Sequence, residues 1–291
     1  MSNIRKTIFD LERRCNLPAE FENIQTDLKR TTISSNVIKR TRLYLLLDDC
    51  IKLWPYREAA TDINTYADSH GFLHYSDTDD DKMLYYLELY LNLLHFAPSY
   101  EERFARTFDL TWMDGSTIDL ECKRCIENIE FLLERLNMRV RKKDAKPTPQ
   151  YVISKRDAQV DAVIEAVPDL SEALLSYLDI RNQNDMGVKE AVLKVIADYL
   201  EDRHRENYYK GTMNSGLERD LFTVFNNVDV RHSGKKQWKL RKPAQMKLYD
   251  QTFKAAIHLL QMEDVKSFIN TVSDLKKKHA ESVEAKGNNM N

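Results

Sequence analysis

Hydrophobic positions recur with a helical period along most of this chain. Apolar residues spaced three and four apart line one face of a helix, which can then bury that stripe against its neighbours. In the first half of the chain this pattern predicts helices near residues 3–15, 36–54, 57–69, 82–96 and 117–137. The first half is therefore predicted to be helical.

The periodicity changes near the middle of the chain. Around Pro147–Pro149 the helical pattern lapses, while Met138–Val140 and Tyr151–Ile153 on either side alternate or carry β-branched residues. Such a pattern suits a short β-hairpin. We place a domain boundary here, with a helical N-terminal domain of unknown role over residues 1–140 and a hairpin or linker over residues 141–164.

Four further amphipathic helices are predicted in the second half. Pro168 and Asp169 open the first, with Asp169 as its N-cap. The predicted buried face of the second carries Val188, Ala191, Val192, Val195, Ile196, Tyr199 and Leu200. The third carries Leu217 to Val228, and the fourth follows Pro243. Helices joined by short polar links predict an antiparallel bundle over residues 165–275, with a polar tail over residues 276–291.

Composition supports a mostly all-α protein of two domains. The chain has 291 residues with only seven glycines, and 31% of its residues are charged in nearly equal numbers of each sign. Long amphipathic helices have this profile. No stretch approaches the roughly 20 apolar residues that span a bilayer, and the N-terminus lacks a signal-peptide core. We therefore expect a cytoplasmic protein with no membrane partner, and its four scattered cysteines make a disulfide framework improbable.

Several familiar chemical signatures are missing or incomplete. The glycine-rich loops that bind phosphates and the Gly-x-Ser-x-Gly nucleophile motif do not occur. Cys122 and Cys125 have the spacing of half a zinc site or of a thiol-redox pair, but they lie within a predicted helix and are better explained as small buried side chains. The acidic run Asp77–Asp81 is predicted to cap the helix that follows rather than to bind calcium. We expect no metal and no cofactor.

A cationic segment stands out in a chain whose net charge is −2. The twelve residues from Arg231 to Lys242 hold six Lys or Arg and no acid. Such a run can bind phosphates, and the indole of Trp238 adds a surface on which a base can stack. RNA is therefore the predicted partner of Lys235, Lys236, Trp238, Lys239, Arg241 and Lys242. A solvated loop between two helices is the alternative.

Arg231 and His232 are the candidate catalytic pair. An imidazole can move a proton near neutral pH, and a guanidinium beside it can hold a phosphate while a ribose hydroxyl attacks. This pair could cleave RNA without metal, and among the histidines His232 is the one that the sequence places in chemically useful company. Asn226, Asn227 and Asp229 would orient the pair. Alternatively, these three residues merely end the preceding helix by local hydrogen bonding.

Four segments together resemble the HEPN-like C-terminal domains of bacterial abortive-infection and related phage-defence proteins. The resemblance covers residues 165–262 and is most specific where the Asn-rich turn enters Arg-His. The segments are Leu174–Leu178, Lys189–Glu201, Leu221–His232 and Tyr249–Phe253. It implies a four- or five-helix bundle that is commonly dimeric, and in which two Arg-x(4–6)-His motifs form a metal-independent endoribonuclease site across the dimer.

This chain departs from that motif after its arginine. Arg231 matches the motif arginine, and His232 matches the polar residue that often follows it. The positions four to six residues further on are Lys235, Lys236 and Gln237, so the motif histidine is missing. Two alternatives follow: a variant site that uses His232 itself, or an inactive fold that binds RNA, a nucleotide or a protein partner. A non-catalytic protein-interaction module is the competing function.

Overall fold

The computed structural model describes residues 15–34, 40–107, 117–205, 215–228 and 238–261. These residues are mostly helical, with two short antiparallel hairpins, so the predicted mostly-α fold is confirmed. The chain forms two compact units, divided between Arg156 and Asp157. The division falls inside the predicted segment 141–164. Each unit is described separately below.

The first unit is built from five helices and two hairpins among its described residues. The helices are α1 (Leu17–Arg30), α2 (Leu43–Ile51), α3 (Ile63–Ser69), α4 (Asp80–Thr107) and α5 (Ile118–Arg135). Strands β1 (Thr32–Ile33) and β2 (Thr41–Arg42) form one hairpin, and β3 (Met138–Lys143) and β4 (Gln150–Lys155) form the other. The predicted hairpin at the domain junction is thus confirmed.

Helix boundaries in the first unit differ from the predicted ones. The sequence pattern missed α1, whose buried stripe consists of Leu17, Phe21 and Leu28 alone in 14 residues, and the predicted helix 3–15 lies outside the described residues. Helix α2 is shorter than the predicted 36–54, because residues 41–42 pair in a hairpin. Likewise α3 begins at Ile63 rather than at residue 57. A helix with few apolar residues gives a weak periodic signal in its sequence. A few large side chains are nonetheless enough to pack such a helix against its neighbours.

The acidic run lies at the start of α4. The Asp79 carboxylate accepts a hydrogen bond of 2.9 Å from the Ser76 backbone N–H, which lowers the pKa of Asp79. Asp80 and Asp81 lie in the first turn, where carboxylates complement the helix dipole. Helix α4 continues through Pro98 to Thr107, beyond the predicted end at residue 96.

The second unit is a helical bundle. Its described helices are α6 (Ala158–Ala166), α7 (Ser171–Leu178), α8 (Met186–Arg205), α9 (Ser215–Asn227) and α10 (residues 242–261). The core contains apolar side chains from all five, including Val163, Leu174, Ile196, Phe225 and Ile257. Helix α6 occupies part of the segment predicted as hairpin or linker, and the Asp157 side chain caps it.

Two predicted details of the second unit are wrong. Asp169 is not an N-cap, because it lies inside a short 3-10 turn, Pro168–Leu170, that leads into α7. The buried face of α8 is rotated from the predicted one: Val195 is 44% exposed and Ala191 is exposed. The buried residues are Lys189, Val192, Leu193, Ile196, Ala197 and Leu200. The pattern missed this face because a lysine stands in it.

Candidate functional site

The end of α9 is where the predicted site begins. Apolar residues of α9, Phe225 and Val228 among them, are buried, while Asn226 is exposed and Asn227 is half-buried. The Asn227 side-chain amide donates a 2.7 Å hydrogen bond to the Thr223 carbonyl, one turn earlier. Such back-bonding within the helix is the local role that competes with a catalytic one. Asp229, Arg231, His232, Lys235 and Lys236 lie outside the described residues.

The chain returns to this helix end at Trp238. The Trp238 backbone N–H donates a 2.9 Å hydrogen bond to the Asn227 carbonyl, which fixes the entry into α10 beside the end of α9. Asn227 and Trp238, which lie on either side of the segment that carries the predicted Arg231–His232 pair, are therefore in contact.

The described part of the cationic segment is exposed. Trp238 is 46% exposed and Leu240 is 38% exposed. Lys239, Arg241 and Lys242 are exposed and form no ion pair with a described residue. We call residues 238–242 the Trp238 strip. It contains one indole and three exposed cations.

The helix that follows the Trp238 strip has an unusual start. The Gln245 backbone N–H donates to the Arg241 carbonyl at 3.0 Å, so Arg241 and Lys242 stand at the N-terminal end of α10. Cations there oppose the positive end of the helix dipole, and isolated helices prefer acids at this position. A bound anion would relieve this repulsion.

A partly buried polar cluster lies in the second unit, and the sequence did not indicate it. Asp250 Oδ1 accepts hydrogen bonds from Tyr177 Oη at 2.9 Å and from Lys189 Nζ at 2.5 Å. The Lys189 side chain is 5% exposed and lies over the Tyr177 ring, with Nζ 5.2 Å from its centroid. Tyr177 also stacks on Phe253, with ring centroids 3.8 Å apart. The cluster joins α7, α8 and α10.

Tyr177 in this cluster remains protonated. Burial, together with the hydrogen bond to the Asp250 carboxylate, raises the pKa of Tyr177 well above its ordinary value. Its hydroxyl is therefore a donor to Asp250 and does not act as a base near neutral pH. The cluster fixes three helices and leaves proton transfer to other groups.

Tyr249 links the cluster's helix to the end of α9. Its ring is fully buried, and its hydroxyl accepts a 2.8 Å hydrogen bond from Gln245 Nε2. The same hydroxyl lies 3.4 Å from both Glu190 Oε2 and the Val228 carbonyl oxygen, either of which can accept a hydrogen bond from it. Val228 is the last described residue before the predicted pair. Tyr249 thus anchors the backbone from which Asp229 to His232 depart.

His204 is a second histidine with chemically useful company, which the sequence prediction did not identify. Its Nδ1 lies 2.8 Å from Glu218 Oε1, and its ring centroid lies 4.7 Å from that of Phe222. The imidazole side chain is 57% exposed, whereas the carboxylate side chain is 10% exposed. The pair was invisible in the sequence because its members stand on two different helices, α8 and α9.

The cysteine pair in the first unit has no reactive environment. Cys122 and Cys125 are 1% and 3% exposed, as predicted for small buried side chains. Burial raises the pKa of Cys125 to about 11 and that of Cys122 still further. Thiols of this kind are poor nucleophiles and poor metal ligands at neutral pH. Within the described ranges, no three His, Cys, Asp or Glu side chains come together as a metal site.

Among the residues that the structure describes, no helix combines the length and the apolar character needed to cross a bilayer.

Comparison of this chain with protein-family models, with curated proteins and with solved structures finds no match. The candidate site therefore stands on its own residues.

Proposed function

We propose that this protein is a HEPN-like antiviral-defence protein that binds RNA through its cationic segment, Arg231–Lys242. The HEPN-like and defence parts of the proposal rest on the resemblance over residues 165–262. The RNA-binding part rests on the Trp238 strip. There, an indole that is 46% exposed adjoins exposed cations at the start of a helix. Cations attract the phosphate backbone, and an exposed aromatic ring can stack on any base.

RNA binding is tested by titrating the full chain into a fluorescent single-stranded RNA and following anisotropy at several salt concentrations. Binding should weaken as salt rises, because each phosphate contact contributes about −0.7 to the logarithmic salt slope for single strands. Replacing Lys239 and Arg241 together by Ala should flatten that slope by about 1.4. Trp238→Ala should weaken binding roughly tenfold with little change in slope, since stacking is worth about 1–3 kcal/mol.

The matched control is Lys194→Ala, which removes an exposed cation from α8. Its affinity and salt slope should equal those of the wild type. Failure of the wild-type protein to bind RNA at low salt would eliminate the proposal.

RNA cleavage is a further part of this proposal, and it rests on the sequence. Arg231 would clamp the phosphate and His232 would carry the proton, with Asn226, Asn227 and Asp229 orienting them. A metal-independent reaction would proceed in EDTA and leave a 2′,3′-cyclic phosphate. Arg231→Ala with His232→Ala should abolish cleavage and keep part of the binding. If the double variant retains cellular protection or toxicity, the pair is not catalytic.

A non-catalytic interaction module is the second candidate function. Its support is an exposed aromatic residue, Phe131, which is 63% exposed on α5 in the first unit. In this case Arg231 would hold the bundle together. Arg231→Ala would then lower the melting temperature markedly, and RNA would not shift the melting temperature of the wild type. The RNA-binding proposal expects the opposite in both measurements.

A further inference from the structure

Helix α5 carries the exposed ring of Phe131 between two clefts. Phe131 is 63% exposed and lines both clefts, each with a volume of about 400 Å³. The first cleft lies between α1 and α5, and Ile24 and Leu132 contribute to its wall. The second lies between α5 and β3, where Met138 and Val140 line it. Single exposed apolar side chains are common on protein surfaces, but this ring stands between two recesses that the side chains of a partner can enter.

Some of the charged side chains around the Phe131 ring are paired with an opposite charge, and others are not. In the first cleft, the arginines are paired: Arg124 contacts Asp27 at 3.1 Å, and Arg135 contacts Glu20 at 3.3 Å. Three glutamates and two arginines, Arg139 and Arg156, line the second cleft, where Glu134 is paired with Arg156 at 3.4 Å.

Glu127 and Glu130, which also line the second cleft, form no ion pair with a described residue and are exposed. We call Glu127, Glu130, Phe131 and Glu134 the Phe131 surface. Its unpaired carboxylates repel nucleic acid and fit a cationic partner that carries a large apolar side chain.

This chain itself presents such a partner. The Trp238 strip holds an indole that is 46% exposed, Leu240 that is 38% exposed, and three exposed cations without an ion pair among the described residues. Its Lys239 and Arg241 can face Glu127 and Glu130, while its indole meets the ring of Phe131. We propose that the Phe131 surface of one copy binds the Trp238 strip of a second copy. This inference does not depend on RNA binding.

Each chain has one Phe131 surface and one Trp238 strip. A mutual exchange between two copies would close a dimer, whereas one-way contacts would build open chains, and the mass in solution distinguishes the two. Charges at the edge of an interface speed the encounter of two proteins and favour one partner over another. Each exposed ion pair, however, adds little binding free energy. The association is therefore weak, depends on the aromatic anchor and weakens with salt.

Sedimentation equilibrium of the full chain, up to about 1 mM, tests the proposal. The wild type is expected to associate reversibly at low salt and to dissociate as salt rises. Glu127→Lys with Glu130→Lys should weaken association at least tenfold, and Lys239→Glu with Arg241→Glu should do the same. The protein carrying all four substitutions should associate within threefold of the wild type, because both charges are exchanged. Phe131→Ala should also weaken association at least tenfold.

The control carries Glu165→Lys with Asp198→Lys, the same change of charge at exposed positions of α6 and α8. Its association should match that of the wild type. A wild-type protein that stays monomeric throughout the concentration range overturns the proposal. So does a folded four-substitution protein, checked by circular dichroism, that fails to regain association. An unchanged dissociation constant for Phe131→Ala overturns it as well.

Discussion

At the scale of single residues, a few buried polar side chains organise this protein. Lys189 is the clearest case, because its side chain is 5% exposed on the buried face of α8. The Asp250 carboxylate offsets the cost of burying that charge and is itself 45% exposed. The two ends of the ion pair thus have unequal access to water.

Removing Asp250 should cost more than removing Lys189. Asp250→Ala leaves a charged ammonium buried without its partner, and we expect the free energy of unfolding to fall by about 3 kcal/mol. Lys189→Met leaves a carboxylate that water can reach, and should cost less than half of that. Urea denaturation of both variants measures the difference. Equal losses would mean that the partial exposure of Asp250 does not matter.

His95 should make the first unit sensitive to acid. Its ring stacks on Tyr151 at 3.6 Å between centroids, and its Nε2 is buried without a hydrogen-bond partner among the described residues. Burial, followed by the nearby Lys142, lowers the pKa of His95. The unfolded chain therefore takes up a proton more readily than the folded one. Stability is fully present above about pH 6.5 and is lost as the pH falls through the lowered pKa.

His95→Phe, which keeps a ring against Tyr151, should remove part of this acid sensitivity. Melting temperatures at about pH 7.5 and about pH 5 give the comparison. The wild type should lose more between the two than the variant does. His74→Asn, at an exposed position of the first unit, serves as the control. Identical losses in the wild type and His95→Phe would rule out this role.

At the scale of elements, helix α4 supplies hydrogen bonds that an additional strand would supply. Asn92 accepts from the Tyr151 backbone N–H at 2.9 Å and donates to the Tyr151 carbonyl at 2.6 Å. One turn earlier, Glu88 accepts from the Ile153 backbone N–H at 2.8 Å. Glu88 and Asn92 are 3% and 7% exposed. These side chains satisfy the outer edge of β4 and hold the hairpin on the helix.

Asn92→Leu should destabilise the first unit by about 3 kcal/mol. The substitution keeps the volume but leaves two buried backbone groups of Tyr151 without partners, at roughly 1–3 kcal/mol for each. Chemical denaturation measures the loss. Asn128→Leu, on the exposed side of α5, is the control and should change stability by less than about 0.5 kcal/mol. A comparable loss in both variants would contradict the proposed role of Asn92.

At the scale of the whole molecule, two proposals use the same residues. RNA and a second copy would both bind the Trp238 strip, so they should compete. Saturating single-stranded RNA should therefore convert self-associated protein into monomers, as measured by sedimentation with labelled RNA. A poly-anion that lacks bases, such as polyphosphate, tests whether charge alone is enough. RNA bound to an intact dimer would show that the two partners use different surfaces.

The sequence alone determined the helical class, the hairpin around Pro147 to Pro149, the burial of Cys122 and Cys125, and the cationic composition of the segment Arg231–Lys242. Each of these depends on local pattern or composition, which a short window of sequence contains. Phe131 illustrates the limit, because the periodicity of α5 could not show that its ring stays uncovered. Whether α1 or the β3–β4 hairpin covers the ring is decided by how these elements pack on α5.

Tertiary structure alone decided the polar contacts within each unit. Lys189 and Asp250 are 61 residues apart, Asn92 and Tyr151 are 59 apart, and His204 meets Glu218 across two helices. A lysine and an asparagine look like surface residues in any local pattern. Their burial is favourable only because a distant partner completes the hydrogen bonds, and that partner is fixed by packing. Local pattern also missed α1 and α6 and chose the wrong face of α8, whereas most of the other helices were placed close to their observed positions.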